Sequence, residues 1–482
     1  MLLLSYILLS QNLYSQDKAA DKRRAIAYNF IDSYNKQDFN GMRKDFDGKM
    51  KVFFSKKMMA ENYGYTYELK GKARIASYND NKGSVMLGLL YAKDTTEKQA
   101  VGLYISEKNK VAGMTVKGVN FKFQKKAVPV PVSEARLKER MDSIMQLKNI
   151  AAGFGGCVAI IENGKTVYQG CTGYADKNNK TLLNQNSMFE LASCSKQFTS
   201  MAILMLVERG KINYSDDIRK FIPGLPYENI TVEHLLTHTS GLPSYEEVLD
   251  KNWDKKKFAY NADIVSAFTT HKPKLLFKPG TTFEYSNTGY AMLSLIIEKA
   301  SGMTYSDFIA ENIFKPLNMT RSRIYNTRRV KQEKINDYAY GYVYSDSLQR
   351  YTLPDSLPGY DYVTWLDGIT GDGTVNSSMS DLVLWENALR ENKLVQKSTL
   401  DRAFTSYKLP DGEETDYGYG WMVQKGENLE PLVQHSGSWP GYATLIVHFT
   451  DQKRSVIILS NTGYQNTNRF GSSIVEMMNH DK

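Results

Sequence analysis

The strongest constraint on how this chain can fold is where its strand-like segments fall. GGCVAIIENGKTVYQGCTGYAD (155–176) alternates around an Asn163-Gly164 turn, the pattern of a β-hairpin. Four more strand-like segments, YGYGWMVQ, LVQHSGS, YATLIVHF and RSVIILSN, come near the end, followed by a helix over about 468–479. Between these ends, residues 193–320 are largely helical and broken by Pro-Gly loops, and 337–370 form a Tyr-rich irregular segment. Strands at both ends with helices between them predict a mixed α/β-type (α+β) fold. It would hold one antiparallel sheet built from both ends of the domain, flanked by helices, with an inserted helical lobe.

A chain of 482 residues has room for more than that domain. Residues 21–47 read as helical, with Ala25, Phe30, Ile31 and Tyr34 at helical spacing, followed by Phe39, Met42 and Phe46. From 63 to 123 the pattern turns to short strands: YTYELKG, SVMLGLLYA, AVGLYISE and KVAGMTVKGVNFKF. This predicts a small α+β accessory domain over 17–125, whose outline resembles the cone-shaped nuclear-transport-factor-like fold. AVPVPV makes 126–132 a stiff linker, because each proline fixes φ and removes a donor. Ser133 can then cap a helix to about Asn149, so the second domain takes 133–482. LLLSYILLS (2–10), followed by small residues near Ser15, has the form of a secretory h-region. Residues 1–16 are therefore expected to be a signal peptide, with the protein exported (periplasmic or secreted) and no integral membrane span left after cleavage.

Composition narrows the partners. The net charge of +9 is thin over this length and no block of five or six like charges occurs, so nucleic acid is not an expected partner. The three cysteines show no metal-ligand spacing and no H-E-x-x-H is present, so neither metal nor cofactor is expected. An Asn163-Gly164 turn sets Cys157 opposite Gly170, which points the Cys157 and Cys171 thiols to opposite faces and predicts no disulfide. Nothing in the pattern sets an oligomeric state.

Three short elements carry chemistry. Ser193-Cys194-Ser195-Lys196 follows the strand-like FELA and opens the apolar run FTSMAILMLV. That places Ser193 at a helix start, where free N–H groups favour negative charge, with Lys196 one turn on and on the same face. A buried lysine there can lose its proton and act as base, or polarise the hydroxyl by charge. Tyr285-Ser286-Asn287 follows a Lys-Pro-Gly turn; a phenol held near cations can have a lowered pKa and relay protons, and the amide can grip a substrate carbonyl. His435-Ser436-Gly437-Ser438 lies on a terminal strand, where Gly437 admits a close backbone and His435 can supply electrostatic stabilisation. Each pattern alone is weak: Ser15 and Lys18 repeat the first and Tyr464 and Asn466 the second. Their order and settings together are the signal.

In that order these residues resemble the serine β-lactamase and penicillin-binding-protein superfamily, in its class C-like branch. ITVEHLLTHTSGLP (230–243), FKPGTTFEYSNTGY (277–290) and GDGTVNSSMSDLVLWENAL (371–389) resemble further hallmarks, and the likeness spans about 133–480. It implies a serine hydrolase acting on an ester or amide of a small-molecule or peptide substrate, such as a D-amino-acid peptide, through an acyl-serine on Ser193. Lys196 and Tyr285 would be the other catalytic groups, and Asn287, His435, Gly437 and Ser438 would bind substrate. The backbone N–H groups of Ser193 and Ser438 would form the oxyanion hole. The usual lysine of the third motif is His435 here, which ranks β-lactam hydrolysis last. Alternatives are a non-turnover β-lactam or peptidoglycan sensor, and an acyltransferase using the same acyl-enzyme. A Ser-His-Asp triad from His238 and Asp372 is rejected, because HLLTHTSGL is structural in this family and no G-x-S-x-G elbow exists.

Overall fold

The computed structural model describes residues 2–57, 59–60, 63, 67, 71–81, 84–92, 94–117, 132–146, 154–325, 335–425, 431–451, 453–463 and 467–479. The chain divides into two units, Met1–Phe121 with Tyr344–Tyr351, and Lys122–Val343 with Thr352–Lys482. Most of the expected linker, 126–131, lies outside the described residues.

In the first unit, helix α1 (Leu2–Asn35) precedes four antiparallel strands paired in chain order: β1 (Ala73–Asn81), β2 (Ser84–Tyr91), β3 (Asp94–Ile105) and β4 (Val111–Lys117). The last turns of α1 bury Ile26, Ala27, Phe30, Ile31 and Tyr34 in one core with Val85, Leu87, Val101 and Leu103. Two expectations need correction. Ala25 is exposed, so the buried stripe starts one residue later at Ile26. Tyr67 is helical where YTYELKG suggested a strand, and the first strand is Ala73–Asn81. That strand buries little beyond Ala73 and carries no apolar alternation, so periodicity could not find it. The apolar run 2–10 is part of α1. Among the described residues no helix is long and apolar enough to cross a membrane.

The second unit is built on six strands: β5 (Gly156–Glu162), β6 (Lys165–Thr172), β7 (Met422–Gln424), β8 (Leu432–Trp439), β9 (Tyr442–Phe449) and β10 (Arg454–Ser460). They hydrogen-bond in the order β7-β8-β9-β10-β5-β6, all antiparallel. The β10–β5 pairing, from Arg454 opposite Glu162 to Ser460 opposite Gly156, joins the two ends of the domain into one sheet, as expected from the sequence. Alternation decides what each face meets. Val158, Ile160, Leu445, Val447, Val456 and Ile458 share a core with α2 (Glu134–Gln146) and the closing helix Thr467–Asn479. Cys157, Ala159, Ile161, Ile446, Ile457 and Leu459 face the helical lobe. With both faces buried, a one-residue slip would exchange the two apolar sets, so the register is strongly specified.

That lobe carries α3 (Lys196–Glu208), α4 (Tyr245–Asn252) and α5 (Asn287–Ser301). The hydroxyls of Ser244 and Ser286 cap α4 and α5, accepting from Glu247 N and Gly289 N. Both caps lie next to residues of the candidate site.

The cysteine expectation is overturned: Cys157 and Cys171 form a disulfide. Near the turn Ile161 pairs with Thr166, as an Asn-Gly hairpin requires, but Ile160 pairs with Tyr168, leaving Val167 as a bulge. The extra residue shifts every later pair by one, so Cys157 stands opposite Cys171 and both thiols share a face. Cys194 is a buried free thiol. Under denaturing, non-reducing conditions alkylation should therefore modify Cys194 alone, and all three cysteines after reduction. Closing a loop of this 14-residue separation stabilises by about 3 kcal/mol on chain-entropy grounds, so Cys157→Ser/Cys171→Ser should lower unfolding stability by about that much. Three alkylated thiols without reductant would contradict the pairing.

Candidate active site

Ser193 lies in a 3-10 turn, Ala192–Ser195, that runs directly into α3. Strand β8 is fastened to this turn. The Cys194 thiol donates to the His435 carbonyl at 3.1 Å, and the Thr444 hydroxyl of β9 donates to the Leu191 carbonyl at 2.8 Å. Gly437 is what permits the approach: a Cβ there would lie 2.2 Å from Leu191 O, 2.3 Å from Thr444 Oγ1 and 3.1 Å from Ser193 N. Ala192, just before the nucleophile, holds φ +48°, a left-handed value unusual for a residue with a Cβ.

Lys196 is fully buried. Its Nζ is 3.1 Å from Ser193 Oγ, 2.8 Å from Asn287 Oδ1 and 2.8 Å from the Asp372 carbonyl oxygen. The rings of Tyr285 and Tyr290 lie 5.0 and 5.5 Å away. Burial pulls the ammonium pKa down to about 8, against the opposing attraction of Asp372 and Glu246. In the neutral amine, two N–H bonds serve Asn287 and Asp372, which leaves the lone pair toward the Ser193 hydroxyl. An amine that loses its proton near pH 8 therefore lies within hydrogen-bonding distance of the Ser193 hydroxyl.

Tyr285 differs from expectation. Burial raises its phenol above the ordinary value, and the hydrogen bond with Ser193 offsets only part of that shift. The ring remains 37% exposed, so it borders solvent while its hydroxyl end reaches Ser193. At neutral pH Tyr285 is a neutral phenol, because burial outweighs the hydrogen bond that would favour its charged form.

His435 also departs from its expected role. Its Nδ1 is 2.7 Å from the Ser436 carbonyl, so Nδ1 carries the proton and Nε2 accepts from the Tyr417 hydroxyl at 3.0 Å. Burial and the Lys196 charge hold its pKa down to about 3. This imidazole is neutral and almost wholly buried, and offers no charge to a substrate. It positions Tyr417 instead. His238 is likewise buried; it accepts from Ser286 N at 3.0 Å and packs on the Tyr285 ring with centroids 4.3 Å apart. It supports Tyr285 from behind, through the hydrogen bond to Ser286 and the ring contact.

Asn287 has both ends of its amide engaged: Oδ1 accepts from Lys196 and Nδ2 donates to Glu246 Oε1 at 2.8 Å. The Tyr245 hydroxyl donates to Asp372 Oδ2 at 2.8 Å, and burial pushes the Asp372 carboxyl up to about 6. A cleft opens over Ser193, lined among others by Tyr245, Asn287, Leu366, Ile369, Ser438 and Trp439.

The structure thus sets Ser193, Asn287 and Ser438 in the wall of one cleft, with Lys196, Tyr285 and Gly437 adjoining Ser193 and with His435 buried. Ser15 and Lys18 belong to α1 in the other unit, and 464–466 lie outside the described residues. Sequence reasoning missed Tyr245, Glu246 and Asp372 as parts of the site. The hallmark stretch 230–243 stops one residue before the α4 cap, so Tyr245 and Glu246 went unread. Asp372 falls in the hallmark stretch 371–389 and in the rejected triad; its main-chain oxygen, which no sequence pattern reports, is the atom that meets Lys196.

Comparison with known proteins gives the family. The family model described as Beta-lactamase matches residues 138–473, and the chain belongs to that family of penicillin-binding-protein-type serine hydrolases. It is 46% identical over 308 residues to penicillin-binding protein 4* of Bacillus subtilis (strain 168), covering 64% of this chain and 68% of that protein. It is 30% identical over 315 residues to protein flp of Staphylococcus aureus (strain N315), covering 64% of this chain and 59% of flp. Among solved structures, the octameric penicillin-binding protein homologue from Pyrococcus abyssi matches with TM-score 0.60 and 30% identity over 72% of this chain and 78% of that one. A D-amino acid amidase from Ochrobactrum anthropi SV3, complexed with D-phenylalanine, shares the fold at TM-score 0.58 and 24% identity, covering 70% of this chain and 98% of that one.

The close approach at Gly437 gives a direct test. In Gly437→Ala the new Cβ would meet the Leu191 main-chain oxygen, so β8 and the Ser193 turn must move apart and the melting temperature should fall. Labelling of Ser193 by a fluorophosphonate should slow at least about tenfold, the scale of a displaced oxyanion donor. A labelling time course beside a thermal melt checks both; an unchanged rate would show that the contact does not align the site.

Proposed function

We propose that the chain hydrolyses an ester or amide of a small-molecule or peptide substrate through an acyl-enzyme on Ser193, with D-amino-acid peptides and small esters ahead of β-lactams as substrates. The observation that carries this is the buried Lys196 Nζ, 3.1 Å from Ser193 Oγ with its other hydrogen bonds committed elsewhere. The Ser193 proton passes to the Lys196 amine as Oγ attacks the carbonyl carbon. The N–H groups of Ser193 and Ser438 receive the oxyanion, each lowering the barrier by about 3–4 kcal/mol. Tyr285 carries the proton from Lys196 to the leaving group, which departs as alcohol or amine. Water then enters, gives its proton along the same path in reverse, and releases the acid.

Substrate class follows from charge and shape. With His435 neutral where the family's lysine is expected, a substrate carboxylate gains no cation from that position, which disfavours β-lactams and free C-terminal carboxylates. Leu366, Ile369 and Trp439 give the cleft an apolar wall suited to an apolar side chain. The D-phenylalanine bound by the amidase of the same fold is consistent with such a side chain. Export through residues 1–16, and a separate accessory role for 17–125, belong to the same reading.

Intact-mass analysis after incubation with a fluorophosphonate or a β-lactam should show one adduct, absent in Ser193→Ala. Labelling without turnover of chromogenic esters or D-amino-acid amides would favour a sensor. Diversion of product by added amines or alcohols would favour an acyltransferase. No labelling by either probe would argue against a serine nucleophile.

The pH dependence of labelling is a separate prediction. Only the neutral amine of Lys196 has a lone pair, so the rate should rise with pH and reach half its plateau near pH 8. A flat profile from about pH 6 to 9 would remove Lys196 as the base.

A further inference from the structure

Asn287 stands between a lysine and a carboxylate, and an amide can satisfy both in only one orientation. Turned the other way, its NH₂ would face the donors of Lys196 and its oxygen would face the oxygens of Glu246, giving two repulsive contacts in place of two hydrogen bonds. The observed distances are 2.8 Å on each side. Glu246 is itself held: Ser244, which caps α4, donates to its second oxygen at 2.6 Å. The Tyr245 N–H bonds Thr288 Oγ1 at 2.9 Å, which ties the start of α4 to the residue after Asn287.

We propose that Glu246 is a positioning residue for the reaction at Ser193: by accepting from Asn287 Nδ2 it fixes the amide oxygen on Lys196 and so holds the amine against the serine hydroxyl. This rests on Lys196 being the base. Glu246 does not touch the nucleophile; it acts through Asn287 and through its charge.

The charge acts in a crowded setting. Lys196 is faced by Cys194 from its own turn, by Tyr285, Asn287 and Tyr290 from the start of α5, and by Asp372 from the 370s loop. His435 on β8 and His238 interact with it as well. Of the groups acting on the lysine, Asp372 and Glu246 are the carboxylates, and both favour the protonated amine. Removing the Glu246 charge therefore lowers the Lys196 pKa. Removing its hydrogen bond frees the amide.

Two variants separate these effects. Glu246→Gln keeps an acceptor oxygen for Asn287 but no charge; Glu246→Ala keeps neither. A ¹³C NMR titration of the Lys196 Cε, which needs no turnover, should show the pKa lower by about 0.5–1 unit in Glu246→Gln. Fluorophosphonate labelling at pH 8 should stay within about threefold of wild type for Glu246→Gln. For Glu246→Ala it should fall by about 10- to 100-fold as the amine loses its aim. Melting curves of both variants show whether the fold survives; a purely structural role would not give rescue by Gln together with a shifted lysine titration. An unmoved titration in Glu246→Gln, or labelling of Glu246→Ala at the wild-type rate, overturns the proposal. If the wild type itself fails to label, the acyl-enzyme reading falls, while the titration still decides whether Glu246 acts on Lys196.

Discussion

A lysine amine buried within hydrogen-bonding distance of a serine is the interaction on which the rest of this site depends. An ammonium taken wholly out of water costs several kcal/mol unless acceptors surround it. Lys196 has three: the Ser193 hydroxyl, the Asn287 amide oxygen and the Asp372 main-chain oxygen, supplied by different segments of the chain. Those acceptors make the burial tolerable, and the burial brings the pKa into a range where the free amine exists near neutrality. In the proposed reaction, the group that is costly to the fold is the group that takes the proton. Asp372, pushed up to about 6 by the same burial, is a second ionisable group held at a cost.

The sheet supplies the rigidity. Strand β8 lies against the Ser193 turn, and the contact is made by main chain and small side chains: Gly437, the Cys194 thiol, the Thr444 hydroxyl. These atoms have little freedom, so the geometry is set by the β8–β9 pairing, with Gly437 opposite Thr444. The polar groups behind the cleft extend the same logic. His435, His238 and Tyr417 are buried and mutually packed, and they hold the ring and backbone of Tyr285 and Ser286 in place.

Much of the architecture was legible in the chain. The Asn163-Gly164 hairpin, the four closing strands and the apolar α3 carry strong periodic patterns, and the sheet joins both ends as their positions required. What was misread has specific physical causes. A single bulged residue, Val167, reversed the expected facing of Cys171, because side chains alternate with period two. A lowered pKa for the Tyr285 phenol follows from a cationic neighbour alone, but burial raises it, the nearby carboxylates act in the same direction, and the hydrogen bond with Ser193 offsets only part; packing decides the sum. The His435 imidazole was given an electrostatic role that its depth of burial does not allow.

Residue types and their order along the chain determined that a serine, a lysine, a tyrosine and an asparagine could serve one reaction, since each lies at a helix start, loop or strand that local patterns can identify. The tertiary structure alone decided the protonation of those groups and who holds them. A pKa is a property of depth and neighbours, and Glu246, Tyr245 and the Asp372 carbonyl reach Lys196 or its partners from segments distant in sequence from it. No spacing rule along the chain encodes an orientation that arises only when separate elements pack.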